Sequence, residues 1–156
     1  MVAVARWLLS RSWWVGTPPG IAALMTLVFS TSVVQAQFDG VYQDLIGRGQ
    51  LEFSEAVGGP ADVYVGWIAM DPGSTYGGWH THPGPVWVVV VNGELSVYGA
   101  DGCRRLYAAG TAYVAQADTL YDLRNESDQP VELAFAGVFR AGQPASTAAE
   151  PPAARC

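Results

Sequence analysis

The sequence contains no lysine, and arginine supplies all 8 of its basic residues. Only 14% of the 156 residues are charged, and the 14 acidic side chains give a net charge of −6 at pH 7. No basic tract is present that could neutralise several phosphates, so nucleic acid is not expected as a partner. Because 50% of the residues are hydrophobic, a disordered chain is also excluded. The length fits one domain with short appendages.

The first 36 residues have the pattern of a secretory signal peptide. Arg6 and Arg11 are the only charged residues before Asp39, and an apolar run over 21–34 leads to the small residue Ala36. This pattern predicts cleavage after Ala36, a secreted or periplasmic product, and no stable membrane insertion after cleavage. An uncleaved anchor is the alternative, because the segment that precedes the apolar run is unusually long.

Between residues 41 and 139 the sequence alternates short apolar runs with turn residues. The 18 glycines and 10 prolines favour short strands over long helices. Strands are predicted over 62–70, 86–91, 94–98, 103–107, 111–114, 119–123 and 131–139. The dipeptides Asn92-Gly93 and Asp101-Gly102 predict tight turns, and the first would make 94–98 the hairpin partner of 86–91. Strands this short and closely spaced are typical of an all-β sandwich or barrel.

The two cysteines lie far apart in the sequence. Cys103 follows the Asp101-Gly102 turn, and Cys156 ends an Ala- and Pro-rich segment over 140–156 that we predict to be a disordered tail. Export would permit a disulfide between them, but the sequence provides no distance with which to test the pairing. Neither cysteine belongs to a Cys-x-x-Cys motif, which argues against thiol redox catalysis.

The chemical signal of the sequence is a pair of histidines, His80 and His82, which are its only 2 histidines. In extended backbone, residues i and i+2 project from the same face, so both imidazoles are expected to point the same way. Two neutral imidazoles provide half of the ligand set of a divalent metal. The alternative is that the pair lines a cavity or forms hydrogen bonds with a loop.

The segment around these histidines resembles the first motif of the cupin superfamily, G-x5-H-x-H-x3-4-E-x6-G. The match is carried by His80-x-His82-Pro-Gly and by the apolar strand that runs into Asn92-Gly93. The second motif, G-x5-P-x-G-x2-H-x3-N, is matched at both ends, by Gly110 and Asn125. The resemblance implies a small antiparallel β-barrel of jelly-roll type.

The resemblance also divides the chain into four parts. Residues 1–36 are the predicted signal peptide, 37–47 an N-terminal segment, 48–139 the cupin domain, and 140–156 the disordered tail. Asn125, at the end of the second motif, also begins an Asn-x-Ser glycosylation pattern, for which a role in a turn is the alternative.

Two departures from the motifs bear on the metal site. Val86 occupies the glutamate position of the first motif, and Tyr121 occupies the histidine position of the second. The resemblance therefore implies a metal set of His80, His82 and Tyr121, with Tyr121 as the candidate catalytic residue. Tyr121 coordinates only as a phenolate, so a metal would have to lower its pKa from about 10. The implied cofactor is one divalent transition metal, namely Fe, Mn, Zn or Ni, with an incomplete ligand set.

Three functions follow from this reading. The first is a metal-dependent enzyme, dioxygenase-like or isomerase-like, that acts on an unknown small molecule. The second is a metal-free barrel that binds a small-molecule ligand in a pocket formed by Val86, Val88, Val90 and Trp79. The third is a structural or interaction role outside the cytoplasm. Trp87 and its alternate neighbours would face outward, which is compatible with a homodimer or with burial beneath the N-terminal segment.

Overall fold

The computed structural model describes residues 39–156, and in this part of the chain all regular secondary structure is β-strand. The ten strands are β1 (Val41–Ser54), β2 (Gly59–Met70), β3 (His80–Thr81), β4 (Val86–Asn92), β5 (Glu94–Tyr98), β6 (Arg104–Ala108), β7 (Ala112–Ala115), β8 (Asp122–Arg124), β9 (Val131–Arg140) and β10 (Thr147–Ala148). Residues 39–156 contain no helix long and apolar enough to cross a membrane. The predicted signal peptide lies outside the described residues and stays a prediction.

The strands form three antiparallel sheets. The largest has the order β1-β2-β9-β4-β7, the second β6-β5-β8, and the third pairs β10 with β3. The sheets are not closed into a barrel, but their antiparallel arrangement is that of a jelly roll. The predicted all-β, jelly-roll class is confirmed.

The turn at Asn92-Gly93 does not form the predicted hairpin. Gly93 has a φ of 81°, as a tight turn of this kind requires. However, β4 pairs with β7 and β9, whereas β5 pairs with β6 and β8. A register shift between Val90 and Asn92 bends the end of β4, and the chain crosses there from one sheet to the other. The turn at Asp101-Gly102 does form a hairpin, because β5 and β6 pair along their whole length.

The core lies between the two larger sheets and follows the alternation of their strands. In β4, Val86, Val88 and Val90 are buried, while Trp87 and Val89 are exposed on the opposite face. The same core includes Leu133 of β9, together with Leu95 and Val97 of β5. Each aliphatic side chain that is fully buried stabilises the fold by about 1.5–3 kcal/mol. A shift of the strand pairing by one residue would expose these side chains, so the alternation determines the register. The exposed face of β4 matches its predicted orientation; the homodimer stays a prediction.

Two domain boundaries differ from those expected. The segment over 37–47 was predicted to precede the domain, but β1 begins at Val41 and pairs with β2 from that residue onward. The tail over 140–156 was predicted to be disordered, but Thr147 and Ala148 pair with β3, and Cys156 forms a disulfide with Cys103. The tail lacks an apolar pattern because it is held by backbone hydrogen bonds and a covalent bond rather than by buried side chains.

Asn125 connects three parts of the fold and is completely buried. Its Nδ2 donates to the carbonyl of Met70, at 3.0 Å, and to that of Gln129, at 2.8 Å. Its Oδ1 accepts from the backbone N–H and the hydroxyl of Ser127, at 3.1 and 2.7 Å. Asn125 therefore ties the end of β2 to the turn that precedes β9.

Candidate functional site

His80 begins the short strand β3, and His82 directly follows the end of that strand. His80 bridges to Tyr121, with N···O distances of 2.9 and 3.0 Å in the two directions, and pairs on its other side with Ala148 of β10. The two imidazole ring centroids are 4.9 Å apart, with an interplanar angle of 77°. The expectation that alternate residues of an extended segment bring both rings together agrees with this geometry.

Hydrogen bonds fix the same tautomer in both histidines. The Nδ1 of His80 lies 2.7 Å from the carbonyl oxygen of Gly78, and the Nδ1 of His82 lies 2.7 Å from that of Ala145. A carbonyl only accepts, so each Nδ1 carries the proton and donates it. In the neutral rings, each Nε2 is then an acceptor. The Nε2 of His80 is buried and has no hydrogen-bond partner among residues 39–156.

Burial keeps both rings neutral near pH 7. Desolvation lowers the pKa of His82 to about 4, helped by the neighbouring His80, while the bond to Ala145 works in the opposite direction. Desolvation also lowers the pKa of His80, against the bond to Gly78 and the charge of Asp122. The site therefore presents two uncharged acceptors rather than two cations.

A cavity of about 390 Å³ adjoins the histidines, within the size range of small-molecule sites. Its walls are mostly aliphatic and aromatic, and among the described residues that line it there is no Asp, Glu or Arg. Besides the two histidines, the lining residues include Gln43, Tyr76, Val86, Val88, Ala115, Tyr121, Phe139, Ala145, Ser146 and Ala148. The ring of His82 stacks on Phe139, with centroids 5.6 Å apart and planes inclined by 15°.

Of the four residues predicted to form the pocket, two line the cavity and two do not. Val86 and Val88 line the cavity together with His80 and His82, whereas Val90 is buried in the core beyond it. Trp79 does not line the cavity and instead contacts Tyr98, with ring centroids 6.4 Å apart. Val90 follows the inward alternation of β4 but lies at the end of the strand where β4 leaves the cavity.

Tyr121 lines the cavity and forms a backbone bridge with His80. Its hydroxyl oxygen accepts a hydrogen bond of 3.0 Å from the backbone N–H of Gln116. Its phenol is therefore held in place by the chain, and its role as a metal ligand or catalytic group stays a prediction.

Several cavity residues were not predicted from the sequence. Tyr76 donates to the Oε1 of Gln43 at 2.5 Å, and burial raises the pKa of Tyr76 to about 12, so it remains a neutral phenol. Phe139 could have been found from the alternation of β9, since residues of one parity along a strand share a face. Ala145, Ser146 and Ala148 carried no such signal, because their segment has no apolar period.

The donor set does not fit a tightly held metal with three protein ligands. The two Nε2 atoms could supply two ligands, and catalytic metals normally use about three from the protein. Val86 lines the cavity without any donor atom, and the Tyr121 oxygen is engaged by Gln116. Residues 39–156 contain no group of three or more His, Cys, Asp or Glu side chains placed to hold a metal ion.

The fold is similar to that of several solved proteins. A conserved protein with a double-stranded β-helix domain from Klebsiella pneumoniae is 18% identical, with a TM-score of 0.54 over 76% of this chain and 91% of that one. An RmlC-like cupin from Shewanella frigidimarina is 17% identical, with a TM-score of 0.52 over 69% and 84%. A sugar phosphate isomerase of the cupin superfamily from Silicibacter pomeroyi is 19% identical, with a TM-score of 0.53 over 65% and 61%.

Comparison of the sequence with family models agrees with this structural similarity. A search of curated proteins finds no match to the chain. Residues 66–137 match the family model of the Cupin domain, and this range contains both histidines, Val86 and Tyr121. The match runs from within β2 to within β9, and lining residues such as Gln43, Phe139 and Ala145 lie outside it. Residues 66–137 therefore form a cupin domain.

Proposed function

We propose that this cupin domain binds a small, uncharged and largely apolar molecule that carries a hydroxyl or another hydrogen-bond donor. The observation that carries the proposal is the buried, unpartnered Nε2 of His80 beside an apolar cavity. A buried acceptor without a partner costs about 1–3 kcal/mol, and a ligand that donates to it recovers that cost. His82 offers a second acceptor on the same wall, because its Nδ1 proton is used by Ala145.

The cavity walls favour an uncharged ligand. None of the described lining residues is an acid or an arginine, and both histidines are neutral. A carboxylate or phosphate that entered would lose its hydration without meeting a cation, which is strongly unfavourable. The substrate class named for the sugar phosphate isomerase, a similar fold at 19% identity, is therefore not carried over to this chain.

The electrostatics of His82 favour binding over acid–base catalysis. A general base works best when its pKa lies near the working pH. With a pKa of about 4, His82 is neutral at pH 7 and is a weak base, but it is a good hydrogen-bond acceptor. A metal-dependent oxidoreductase or isomerase is the second candidate function. It is supported by the imidazole rings of His80 and His82, whose centroids are 4.9 Å apart, and would require a further ligand from Tyr121 or the substrate.

We also propose that the domain works outside the cytoplasm. The Cys103–Cys156 disulfide supports this location, because disulfides persist mainly in oxidising compartments. The predicted signal peptide over residues 1–36 is consistent with the same location.

Three probes of similar size test the binding proposal: toluene, benzyl alcohol and benzoate. Benzyl alcohol adds a donor to toluene, and benzoate adds a negative charge. We expect benzyl alcohol to bind about fivefold more tightly than toluene, the value of one net hydrogen bond, and benzoate to bind least. Calorimetry and NMR shift mapping would measure affinity and location together.

Two variants make the test specific. His82→Phe keeps an aromatic ring against Phe139 but removes an acceptor, so it should reduce the preference for benzyl alcohol over toluene. Tyr42→Phe changes an exposed residue that does not line the cavity and should leave the preference unchanged. A preference for benzoate, or shifts confined to residues away from the cavity, would overturn the proposal. A preference that disappears on treatment with a chelator would favour the metal-dependent candidate.

A further inference from the structure

The last residues of the chain form a strap over the candidate site. This C-terminal strap, residues 141–156, begins where β9 ends. Its Ala145, Ser146 and Ala148 form part of the cavity wall, and the carbonyl of Ala145 accepts the Nδ1 proton of His82. The strap thus supplies both a surface of the cavity and the hydrogen bond that sets the tautomer of one histidine.

Few non-covalent contacts hold the strap. Residues 141–150 are exposed without exception, so almost no apolar surface is buried by its side chains. Its backbone contacts include the two-residue pairing of β10 with β3, a bond of 2.9 Å from the N–H of Ala149 to the carbonyl of Trp79, and one of 3.0 Å from Arg155 to Asp101. Each such bond stabilises the folded state only modestly, while every ordered residue loses conformational entropy.

A covalent bond closes the far end of the strap. Cys156 is bonded to Cys103, 53 residues earlier, on the β5–β6 hairpin, with 5.6 Å between their Cα atoms. The chain lies directly against this hairpin, since a Cβ added at Gly102 would come within 2.7 Å of the Cα of Ala154. Cys156 is exposed and Cys103 is partly exposed, so a reductant can reach the bond.

We propose that the C-terminal strap is a redox latch on the ligand site, held closed by the Cys103–Cys156 disulfide. A dithiol reductant attacks one sulfur through its thiolate, passes through a mixed disulfide and leaves as a cyclic disulfide. Two electrons and two protons pass from the reductant to the protein, which ends with free thiols at Cys103 and Cys156. The strap then loses its covalent attachment at Cys156, and the wall formed by Ala145, Ser146 and Ala148 opens.

Reduction of the disulfide is expected to change the histidine site only where the strap contacts it. His82 loses its acceptor at Ala145 and regains contact with solvent. His80 keeps its two backbone bonds to Tyr121, which do not involve the strap. The core strand β4 is likewise independent of the strap, since its partners among the strands of residues 39–156 are β7 and β9. Reduction should therefore loosen one wall of the cavity without unfolding the domain.

Hydrogen exchange tests the latch without any ligand. The oxidised full chain is compared with the dithiothreitol-reduced chain and with Cys156→Ser, using peptides that cover 145–150 and 86–92. We expect exchange in 145–150 to be about tenfold faster in both open forms, and exchange in 86–92 to be unchanged. Cys156→Ser treated with dithiothreitol should match untreated Cys156→Ser. Unchanged exchange in 145–150 would overturn the latch, as would faster exchange in both peptides.

The effect on ligand affinity rests on the proposed function and is measured separately, with benzyl alcohol as the probe. We expect the affinity of Cys156→Ser to be about fivefold weaker than that of the oxidised chain, because an open wall removes contacts and the fixed orientation of His82. If the oxidised chain does not bind benzyl alcohol, the proposed function fails while the exchange experiment still decides the latch. Equal affinity in both forms, with faster exchange, would overturn control of the site by the strap.

Discussion

Val86 lies directly opposite Gly137 of β9 on one side and Ala115 of β7 on the other. The ring of Phe139 covers Gly137, since a Cβ added there would come within 2.5 Å of that ring. Position 86 is therefore flanked by small residues and an aromatic ring, and its side chain lines the same cavity as His80 and His82. A carboxylate at this position is the ligand that the cupin motif would add and that this chain lacks.

The first prediction concerns the metal. Wild-type protein should bind zinc, manganese, nickel or iron(II) weakly, because two neutral imidazoles leave the charge of the ion uncompensated. Val86→Glu should tighten binding of at least one of these ions by about tenfold or more, equivalent to about 1.4 kcal/mol. Titration calorimetry measures both affinities. Val86→Gln has a similar shape without the charge and should gain less.

The same variants make a second, independent measurement. Without metal, Val86→Glu buries an unpaired carboxylate and should lower the melting temperature below that of the wild type; added metal should restore much of the loss. Tight binding by the wild type that persists in His82→Ala would contradict the two-histidine site.

The second prediction concerns acid stability. The pKa of His82 in the folded protein is about 4, below its unfolded value near 6.5, so only the unfolded chain takes up this proton between those values. The contribution of the neutral His82 ring to the free energy of unfolding should therefore be fully present above about pH 6.5 and should fall as the pH drops towards 4. His80 is shifted in the same direction and adds to the loss. Between pH 7 and pH 5 we expect His82 to account for about 1–2 kcal/mol, allowing for the partial exposure of its ring.

Urea unfolding at pH 7 and pH 5 measures this loss. His82→Phe should retain more of its stability at pH 5 than the wild type does. Acidic groups with lowered pKa values, such as Asp101 at about 2, lose their contribution to stability only at lower pH, outside the range from pH 7 to pH 5. Equal losses in the wild type and in His82→Phe would show that the ring is solvated in the folded state.

The third prediction concerns the sheet-crossing turn. Gly93 has a positive φ, and a Cβ there would come within 2.6 Å of the carbonyl oxygen of Pro130. Gly93→Val should therefore lower the free energy of unfolding by about 2 kcal/mol or more, since both the backbone conformation and the contact oppose it. Gly49→Ala is the matched control, because an added Cβ at Gly49 meets no atom within 4 Å. Chemical denaturation of both variants measures the difference, and a Gly93→Val variant as stable as the control would be incompatible with this turn.

The fourth prediction concerns export. Mass spectrometry of the exported product should find an N-terminus at Gln37, including its cyclised pyroglutamate form, because cleavage is predicted after Ala36. The residues concerned precede the described part of the chain. A full-length species in the membrane fraction would favour the uncleaved anchor.

The parts of the fold that sequence predicts well are those fixed by local alternation. In β4, aliphatic residues of one parity face the core, and the same pattern places Val86 and Val88 on the cavity wall. Local alternation does not predict which strand a given strand pairs with. The Asn92-Gly93 turn looks like a hairpin turn in sequence, but whether the next strand folds back or crosses to another sheet depends on the whole topology.

The candidate site was predictable only in part for a similar reason. The spacing of His80 and His82 determines that their rings meet, whatever surrounds them. The opposite walls come from residues distant in sequence, such as Phe139 and Ala145, and only the tertiary fold brings these together. The strap was missed because its order depends on Cys103, which is 53 residues from Cys156.

The burial of Asn125 determines whether the Asn-x-Ser pattern over 125–127 can be glycosylated in the folded protein. Its amide nitrogen donates to two carbonyls inside the protein, and Ser127, the third residue of the pattern, is bonded to its oxygen. An oligosaccharide on this nitrogen would remove at least one of these bonds and has no space at a completely buried position. In a host that glycosylates exported proteins, correctly folded molecules should therefore carry no glycan at Asn125. Any glycan there would identify molecules that were modified before Asn125 was buried.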